Sequence, residues 1–428
     1  MYNNQLDNNG LKNTKKVFFI VGGGILQIPF IDEVYSNGYI PAVFDMNPLA
    51  PAFQKYQDNQ IIKIIISTKD EEGCLNEAIK IGKKYDIAAV ATVGTDFSKT
   101  VAKISNFFNL AGNPYEVAVN TTNKGLMRNL LKKNNVNQPD FEIISNLKEL
   151  KDAVQRLNKN FYVIKPVDNM GARGVSLLSR YTNKIEMKNI FDEALQFSSS
   201  GKVIIEEYIR SHELSLDAIV CNGNITIYGI ADRFILNPPN FIELGHLMPS
   251  ILPADLVEAG CKIFIDGIKA LGIKHGAAKG DIRVRYEIEN GKKIAKAYVG
   301  EIASRLSGGF MSAYTFPYST GINLMNLMMR VALGEKDVEA RQKWSFYSCE
   351  LGLVSNCEGI LRSIDGVYEA KMLPFIKNVF IMKNEGDKII KTKNNVTKLA
   401  NVISQAKSPQ EAIISSKQAL NKLKIILY

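Results

Sequence analysis

The sequence has few of the residues that build disulfide-stabilised, zinc-binding or membrane-spanning folds. Its five cysteines are an odd, widely spaced set without a Cys-x-x-Cys pair, and only three histidines accompany them. Neither a disulfide framework nor a zinc site is indicated. No apolar run approaches the roughly 20 residues that span a bilayer, and residues 1–16 are polar. We therefore expect a disordered tail at 1–16, no signal peptide, no membrane partner and a cytoplasmic location.

The sequence also lacks a dense cluster of basic residues. Lys and Arg outnumber Asp and Glu by 53 to 43, a formal net charge of +10, but the excess is dispersed into pairs such as Lys83-Lys84 and Lys132-Lys133. Nucleic-acid-binding arms are usually runs of basic residues, so this pattern favours a solvated surface and no nucleic-acid partner. Anionic small molecules remain compatible with the charge.

Short apolar runs alternate with amphipathic stretches in the first third of the chain. Residues 17–21 end at three glycines, and the runs 39–44, 61–66 and 87–93 predict three further strands. Such an alternation predicts an open, doubly wound parallel sheet. Ligands bind beyond the carboxyl ends of such strands, which is where we expect Gly23, Thr95 and Asp96.

The glycine-rich turn after the first strand has two readings. Gly22 and Gly24, followed by Asp45 about twenty residues later, are typical of a dinucleotide site, in which the acid holds a ribose. The third glycine position of that pattern is occupied by Gln27. A lone glycine-rich turn after a first strand more often serves tight packing than a cofactor, so a dinucleotide-dependent oxidoreductase is the lesser alternative.

A glycine-punctuated segment in the middle of the chain predicts a phosphate-binding loop. Residues 161–164 form a strand-like run that ends at Lys165, and the polar segment 168–176 contains Gly171 and Gly174. Backbone N–H groups of such a loop can close over phosphates. Taken alone, the segment also fits an ordinary hairpin containing glycine.

Two later strand-like runs carry acids that face a common site if they pair. The runs 281–284 and 297–302 flank Glu289-Asn290-Gly291, a sequence typical of a β-hairpin. Asp281 and Glu301 would then lie on neighbouring strands. Mg²⁺ usually takes one or two carboxylates plus nucleotide phosphates, although a single acid on a strand is more often only solvated.

The order of these segments resembles the ATP-grasp superfamily, and within it the carboxylate–amine ligases. The resemblance covers about residues 17–336 and is carried by Lys124, Lys165, the glycine-rich loop, Glu206-Glu207-Tyr208-Ile209, Asp281 and Glu301-Ile302-Ala303-Ser304-Arg305. It implies an α/β fold with three parts. These are an amino-terminal doubly wound parallel sheet at 17–120, a central ATP-grasp domain at 121–336 with antiparallel sheets and a mobile lid at about 140–205, and a small carboxy-terminal α+β domain at 337–428.

Carried over by position, the resemblance implies the cofactors ATP and Mg²⁺, with Mn²⁺ as a substitute. The implied ATP contacts are Lys124, Lys165, Met170, Gly171, Arg173, Gly174, Glu206, Glu207, Tyr208, Ile209 and Glu213. Asp281 and Glu301 are the implied metal ligands, and Lys165 and Arg305 the implied catalytic residues. Two positions depart from the family pattern, because Ala303 replaces a metal-binding Asn of many relatives and Asp281 is shorter than the usual Glu.

A further segment, residues 243–250, is similar to the amino-acid ligase branch and contains His246. The expected substrate residues are His246, Ser307, Gly308, Gly309, Gly23, Thr95 and Asp96. After Arg305 the chain lacks the glutamate-histidine-proline stretch of biotin carboxylase, which disfavours carboxylation.

The resemblance implies an ATP-dependent ligase that converts a small carboxylic or amino acid into an acyl phosphate and joins it to an amine, releasing ADP and phosphate. The expected partners are the small carboxylate and amine substrates and a second copy of the chain, since symmetric dimers are the commonest oligomers. The alternatives are a carboxylase or carbamoyl-phosphate-type ATP-grasp enzyme, a dinucleotide oxidoreductase and a nucleic-acid-binding protein.

Overall fold

The structure, a computed structural model, describes residues 13–236 and 241–428. Most of the tail predicted at 1–16 lies outside these ranges, and residues 13–16 begin the first strand. None of the helices within the described ranges has the length and apolar composition of a membrane span.

A parallel sheet covered by helices forms the amino-terminal part of the molecule. Its elements are β1 (Asn13–Val21), α1 (Ile28–Ser36), β2 (Ile40–Asp45), α2 (Pro51–Lys55), β3 (Ile62–Ile65), α3 (Glu71–Gly82), β4 (Tyr85–Ala91), α4 (Ser98–Phe107) and α5 (Tyr115–Thr122). The strands are parallel, in the order β3-β2-β1-β4. Phe18, Phe19 and Ile20 are all fully buried, because helices cover both faces of the sheet. The predicted parallel sheet is confirmed.

A smaller antiparallel sheet follows, and we call residues 141–207 the lid region. The elements from residue 124 onward are α6 (Lys124–Lys133), β5 (Phe141–Ile144), α7 (Leu147–Leu157), β6 (Phe161–Pro166), β7 (Ser176–Ser179), α8 (Lys184–Gln196) and β8 (Val203–Glu207). The strand order is β5-β8-β6-β7. The three helices begin where the side chains of Asn123, Asn146 and Asn183 accept hydrogen bonds from N–H groups of the first turn. The segment 168–175 joins β6 to β7 and is the lid loop.

Long antiparallel strands build the centre of the molecule. The elements are β9 (His212–Cys221), β10 (Asn224–Ile235), β11 (Glu243–Met248), α9 (Ala254–Leu271), β12 (Gly276–Glu289), β13 (Lys292–Ala303), a π-helical turn (Met311–Thr315), α10 (Phe316–Thr320) and α11 (Leu324–Ala332). Asn290 and Gly291 both have positive φ angles, 51° and 74°, as a two-residue hairpin turn requires. The predicted hairpin is confirmed, with Asp281 opposite Glu301 in the register of β12 and β13.

The carboxy-terminal region extends the central sheet. Its elements are β14 (Tyr347–Leu353), β15 (Gly359–Asp365), α12 (Val367–Lys371), β16 (Ile376–Ile381), β17 (Lys388–Ile389), β18 (Ala400–Ala406), α13 (Pro409–Lys422) and β19 (Lys424–Leu427). One sheet of eight strands runs in the order β13-β12-β9-β10-β11-β14-β18-β16. It therefore continues across residue 336, where the sequence predicts a domain boundary, and the division into domains stays a prediction.

Candidate active site

A cavity of about 510 Å³ lies between the central sheet, the lid loop and the carboxy-terminal region. Most of the predicted site residues border it. They are Thr95, Asp96, Lys124, Lys165, Met170, Gly171, Arg173, Glu206, Glu207, Glu213, His246, Asp281, Glu301, Arg305, Ser307, Gly308 and Gly309. Residues that are up to about 200 positions apart in sequence are thus brought to one place by the fold.

Gly23 is not among the lining residues. Its N–H donates to Oδ2 of Asp45 at 2.9 Å, and the buried side chain of Gln27 donates to the carbonyl of Val93. Gln27 thereby connects the turn after β1 to the segment that follows β4. The carboxylate of Asp45 accepts a hydrogen bond from the same turn. The glycines serve the packing of the sheet, so the geometry gives the dinucleotide alternative no support.

Three of the predicted ATP contacts, Gly174, Tyr208 and Ile209, also lie outside the lining of the cavity. Gly174 has a φ of 68°, and a Cβ atom there would be 2.9 Å from the ring of Phe197, so this glycine is required by the turn. Ile209 is buried. The ring of Tyr208 packs 5.7 Å from that of Phe241, which does border the cavity. Tyr208 therefore packs against a residue of the cavity wall without lining the cavity itself.

The two predicted phosphate-binding lysines approach the cavity from different elements. Lys124 is the first residue of α6, and its Nζ donates to the carbonyl of Asn169 in the lid loop at 2.7 Å and lies 3.3 Å from Glu301. Lys165 on β6 is 2.8 Å from Oε2 of Glu206, and burial lowers the pKa of this lysine. Both ammonium groups are thus held by acceptors beside the cavity.

A buried arginine that the sequence analysis missed holds Glu206. Arg128 on α6 is fully buried, with its Nε 2.8 Å from Oε1 of Glu206. Its two Nη groups donate to the carbonyls of Val299 and Gly300 at 2.8 and 2.7 Å. Burial acts to raise the pKa of Glu206, but Arg128 and Lys165 outweigh it and lower that pKa to about 2. Arg128 therefore links α6, the lid region and β13.

The predicted metal ligands both lie beside cations. Oδ2 of Asp281 lies 2.6 Å from Nζ of Lys279, while its Oδ1 is buried without a hydrogen-bond partner. Burial acts to raise the pKa of Glu301, but four surrounding cations, Lys124 first among them, lower it to about 2. Within the described residues, no group of three or more His, Cys, Asp and Glu side chains could hold a metal. A pair of carboxylates completed by phosphates and water is the arrangement that Mg²⁺ accepts.

Cations on the central strands were also missed. Arg233 on β10 lies 3.0 Å from Glu213, 2.9 Å from Glu243 and 3.3 Å from Asp281. Lys279 precedes Asp281 by two residues on β12, so both side chains point to the same face. This period of two was a signal that the sequence offered. Glu213 itself lies within β9.

Arg305 stands between the amino-terminal sheet and the end of β13. Its Nε donates to Oδ1 of Asp96 at 3.1 Å, and the N–H of Gly94 donates to the carbonyl of Leu306 at 3.3 Å. A Cβ atom on Gly308 would be 2.8 Å from the Gly94 carbonyl oxygen, so a larger residue would separate these two segments. Thr95 and Asp96 consequently form a wall beside Arg305.

The lid loop also contacts the carboxy-terminal region. The N–H of Asn395 donates to the carbonyl of Gly171 at 3.1 Å, and Oδ1 of Asn395 accepts the N–H of Glu243 at 2.9 Å. The same cavity is bordered by Asn395, Val396 and Lys398. One asparagine thus connects the lid loop to β11 across the cavity edge.

Buried polar atoms without a hydrogen-bond partner concentrate at this site. Within the described residues six side chains have such an atom, and four of them, Ser215, His246, Asp281 and Ser307, border the cavity. The other two are Ser98 and Asp217, and Asp217 accepts the N–H of Ser307. Unpaired buried polar groups are uncommon in folded proteins, so their clustering indicates a place for a polar ligand.

Asp217 leads to a prediction for the pH dependence of stability. Burial raises its pKa to about 7, although the N–H of Ser307 donates to it. Between the unfolded pKa, near 3.8, and this value, the folded state holds a proton that the unfolded state has released. As pH rises through this interval, the free energy of unfolding should therefore fall by up to about 1.4 kcal/mol per pH unit.

In Asp217→Asn this dependence should be absent. From pH 5 to pH 7, the free energy of unfolding of the variant should therefore rise relative to that of wild type by about 2 to 3 kcal/mol, as measured by denaturant unfolding. Parallel pH profiles for wild type and variant would contradict the assignment.

Two family models match parts of the chain. The model described as phosphoribosylglycinamide synthetase, ATP-grasp (A) domain, matches residues 122–234, and L-amino acid ligase C-terminal domain 2 matches residues 353–428. Members of the ATP-grasp superfamily use ATP with Mg²⁺.

Curated relatives and solved structures agree with these matches. An uncharacterized protein of Sinorhizobium fredii, y4rH, is 24% identical over 397 residues, which are 89% of this chain and 79% of that protein. The alanine–anticapsin ligase of Bacillus amyloliquefaciens is 24% identical over 247 residues, about half of each chain at 52% and 51%. The L-amino acid ligase from Bacillus licheniformis superposes with a TM-score of 0.78, over 98% of this chain and 100% of that chain, at 22% identity. The chain is therefore similar to enzymes of the ATP-grasp superfamily and, among them, to the amino-acid ligases.

Proposed function

We propose that the protein is an ATP-dependent ligase that activates a small carboxylic or amino acid as an acyl phosphate and joins it to an amine, releasing ADP and phosphate. The observation that carries this proposal is that Lys124, Lys165, Asp281, Glu301 and the lid loop border one cavity. The proposed setting is the cytoplasm, and the proposed assembly is a homodimer.

The chemistry explains why these groups belong together. A carboxylate does not accept an amine directly, because oxide would have to leave. Transfer of the terminal phosphoryl group of ATP to the carboxylate creates phosphate as the leaving group. Most of the protein's work is then to position the reactants and to neutralise charge on the transferring phosphoryl group.

The residues around the cavity have distinct proposed tasks. Lys124 and Lys165 contact the phosphates, while Met170, Gly171 and Arg173 in the lid loop cover them and exclude water. Asp281 and Glu301 would hold Mg²⁺, or Mn²⁺ through the same oxygen ligands, and the ion when bound neutralises phosphate charge. We place the nucleoside at the other end, beside Glu207 and Glu213.

The substrate end of the cavity is proposed to lie around Arg305. The guanidinium is oriented by Asp96 and offers donors to the oxyanion that forms when the amine attacks the acyl carbon. Ser307, Gly308 and Gly309 leave room for substrate beside it. Thr95 and His246 complete this end.

The proposed function is tested with purified wild-type protein, ATP and Mg²⁺. ADP release should require a carboxylate and an amine together, and hydroxylamine in place of the amine should trap the acyl phosphate as a hydroxamate. Panels of amino acids and simple carboxylates would identify the pair. ADP release that depends on bicarbonate and on no other carboxylate would favour the carboxylase alternative and overturn the proposal.

A further inference from the structure

His246 is held by a buried carboxylate from the carboxy-terminal region. The imidazole on β11 is only 1% exposed, and its Nδ1 lies 2.9 Å from Oε2 of Glu350 on β14, which is fully buried. Asn401 on β18 donates to the other carboxylate oxygen of Glu350. β11, β14 and β18 are neighbours in one sheet, in which Glu350 lies opposite His246 and Asn401 lies diagonal to Glu350, opposite Gly352.

The second nitrogen of the same ring is directed toward the cavity. His246 borders the cavity, and its Nε2 is buried without a hydrogen-bond partner. Oε2 of Glu243 is 3.6 Å away, which exceeds a hydrogen bond. Since a carboxylate only accepts hydrogen bonds, Glu350 places the proton on Nδ1, and the neutral ring then keeps its lone pair on Nε2.

We propose, on the basis of the proposed function, that Nε2 of His246 is the general base that takes a proton from the attacking amine. Glu350 is then a positioning residue, which fixes the tautomer and orientation of the ring and is itself steadied by Asn401. An acid that orients a histidine in this way is a recurrent arrangement in acyl transfer.

The proton transfers balance as follows. An α-amino group has a pKa of about 8, so it enters the cavity mainly as an ammonium ion without a lone pair. Nε2 takes one proton and becomes imidazolium, and the amine lone pair forms the C–N bond at the acyl carbon. The bond between the acyl carbon and the phosphate oxygen then breaks, and its electron pair stays with the departing phosphate. The departing phosphate takes the second proton from the nitrogen, and the imidazolium returns its proton to water.

Charges of both signs surround the ring. Glu350 on β14 and Glu243 on the same strand as His246 stabilise an imidazolium. Arg233 lies opposite His246 in the register of β10 and β11, and Lys398 and Lys279 act on Glu243 from the segment before β18 and from β12. A group that must take up a proton and release it again in each turnover requires such a balance of charge.

Glu350→Gln tests the proposal, because glutamine keeps the size of the side chain but can donate to Nδ1 and so place the proton on Nε2. With an amine acceptor, kcat should fall by about 10²-fold or more. With hydroxylamine, which is largely unprotonated at neutral pH, hydroxamate formation should change by less than about 3-fold. The loss with the amine should shrink as pH rises, because the amine then loses its proton to water.

Two further proteins complete the test. His246→Asn should likewise lower the rate strongly with the amine and little with hydroxylamine. Glu289→Gln, at the exposed end of the β12–β13 hairpin, should leave both rates unchanged. Equal losses with amine and hydroxylamine in the first two variants, including loss of both through misfolding, would overturn the proposal and assign a structural role. Wild-type protein that forms no hydroxamate with any carboxylate would instead contradict the proposed ligase function.

Discussion

Lys165→Ala and Glu301→Ala are each expected to abolish the ADP release that depends on carboxylate and amine, a loss of about 10³-fold or more. Lys165 is proposed to supply positive charge where the phosphoryl group transfers, and Glu301 is one of the two carboxylates proposed to hold the metal ion. Neither group has a replacement in the same position. Initial rates of ADP release at saturating ATP and Mg²⁺ measure the effect.

The fold should survive both changes. In Lys165→Ala, Glu206 keeps its contacts with Arg128, and in Glu301→Ala an acid that is partly exposed at the cavity is removed. Matched controls are Lys188→Ala on α8 and Glu289→Ala, whose side chains form exposed ion pairs away from the cavity. Normal turnover in both site variants would refute the ligase assignment.

Arg128→Met should lower the free energy of unfolding by about 3 to 5 kcal/mol. The substitution removes the Nε contact with Glu206 and leaves the carbonyls of Val299 and Gly300 without their buried donors. Unpaired buried acceptors and an undercompensated carboxylate are far more destabilising than loss of a surface ion pair. Equilibrium unfolding in denaturant measures the change.

The chain offers a matched control in Arg156→Met. Arg156 forms a bidentate pair with Glu142, but it is more than half exposed. The same substitution there should leave the free energy of unfolding nearly unchanged, because exposed ion pairs contribute little to stability. Equal losses in the two variants would show that burial of the Arg128 network has no special importance.

Local sequence signals were sufficient for much of the fold. The helices at 124–133 and 147–157 have such signals, because Asn residues cap them and their apolar residues recur at helical spacing. The Asn-Gly turn likewise predicted the hairpin that sets Asp281 opposite Glu301. The end of a strand is less apparent, since β8 continues beyond its apolar residues through Glu206 and Glu207.

Site residues that depend on distant partners were harder to predict. Glu350 and His246 are 104 positions apart, and Arg128 and Glu206 are 78 positions apart. Neither pair has a local pattern, because its members meet only after separate strands and helices pack. Gly23 shows the opposite error, since a local glycine pattern suggested a ligand contact where the structure places a turn that supports the sheet.

The eight-stranded sheet bears on how this enzyme scaffold can diversify. Because β14 is hydrogen-bonded to β11, the last fifth of the chain cannot be exchanged as an independent unit. A transplant from a homologous enzyme would have to match the backbone register along β11 and also bring an acid opposite His246. Otherwise the graft would leave a bare strand edge, which invites aggregation, at the very strand that carries the histidine.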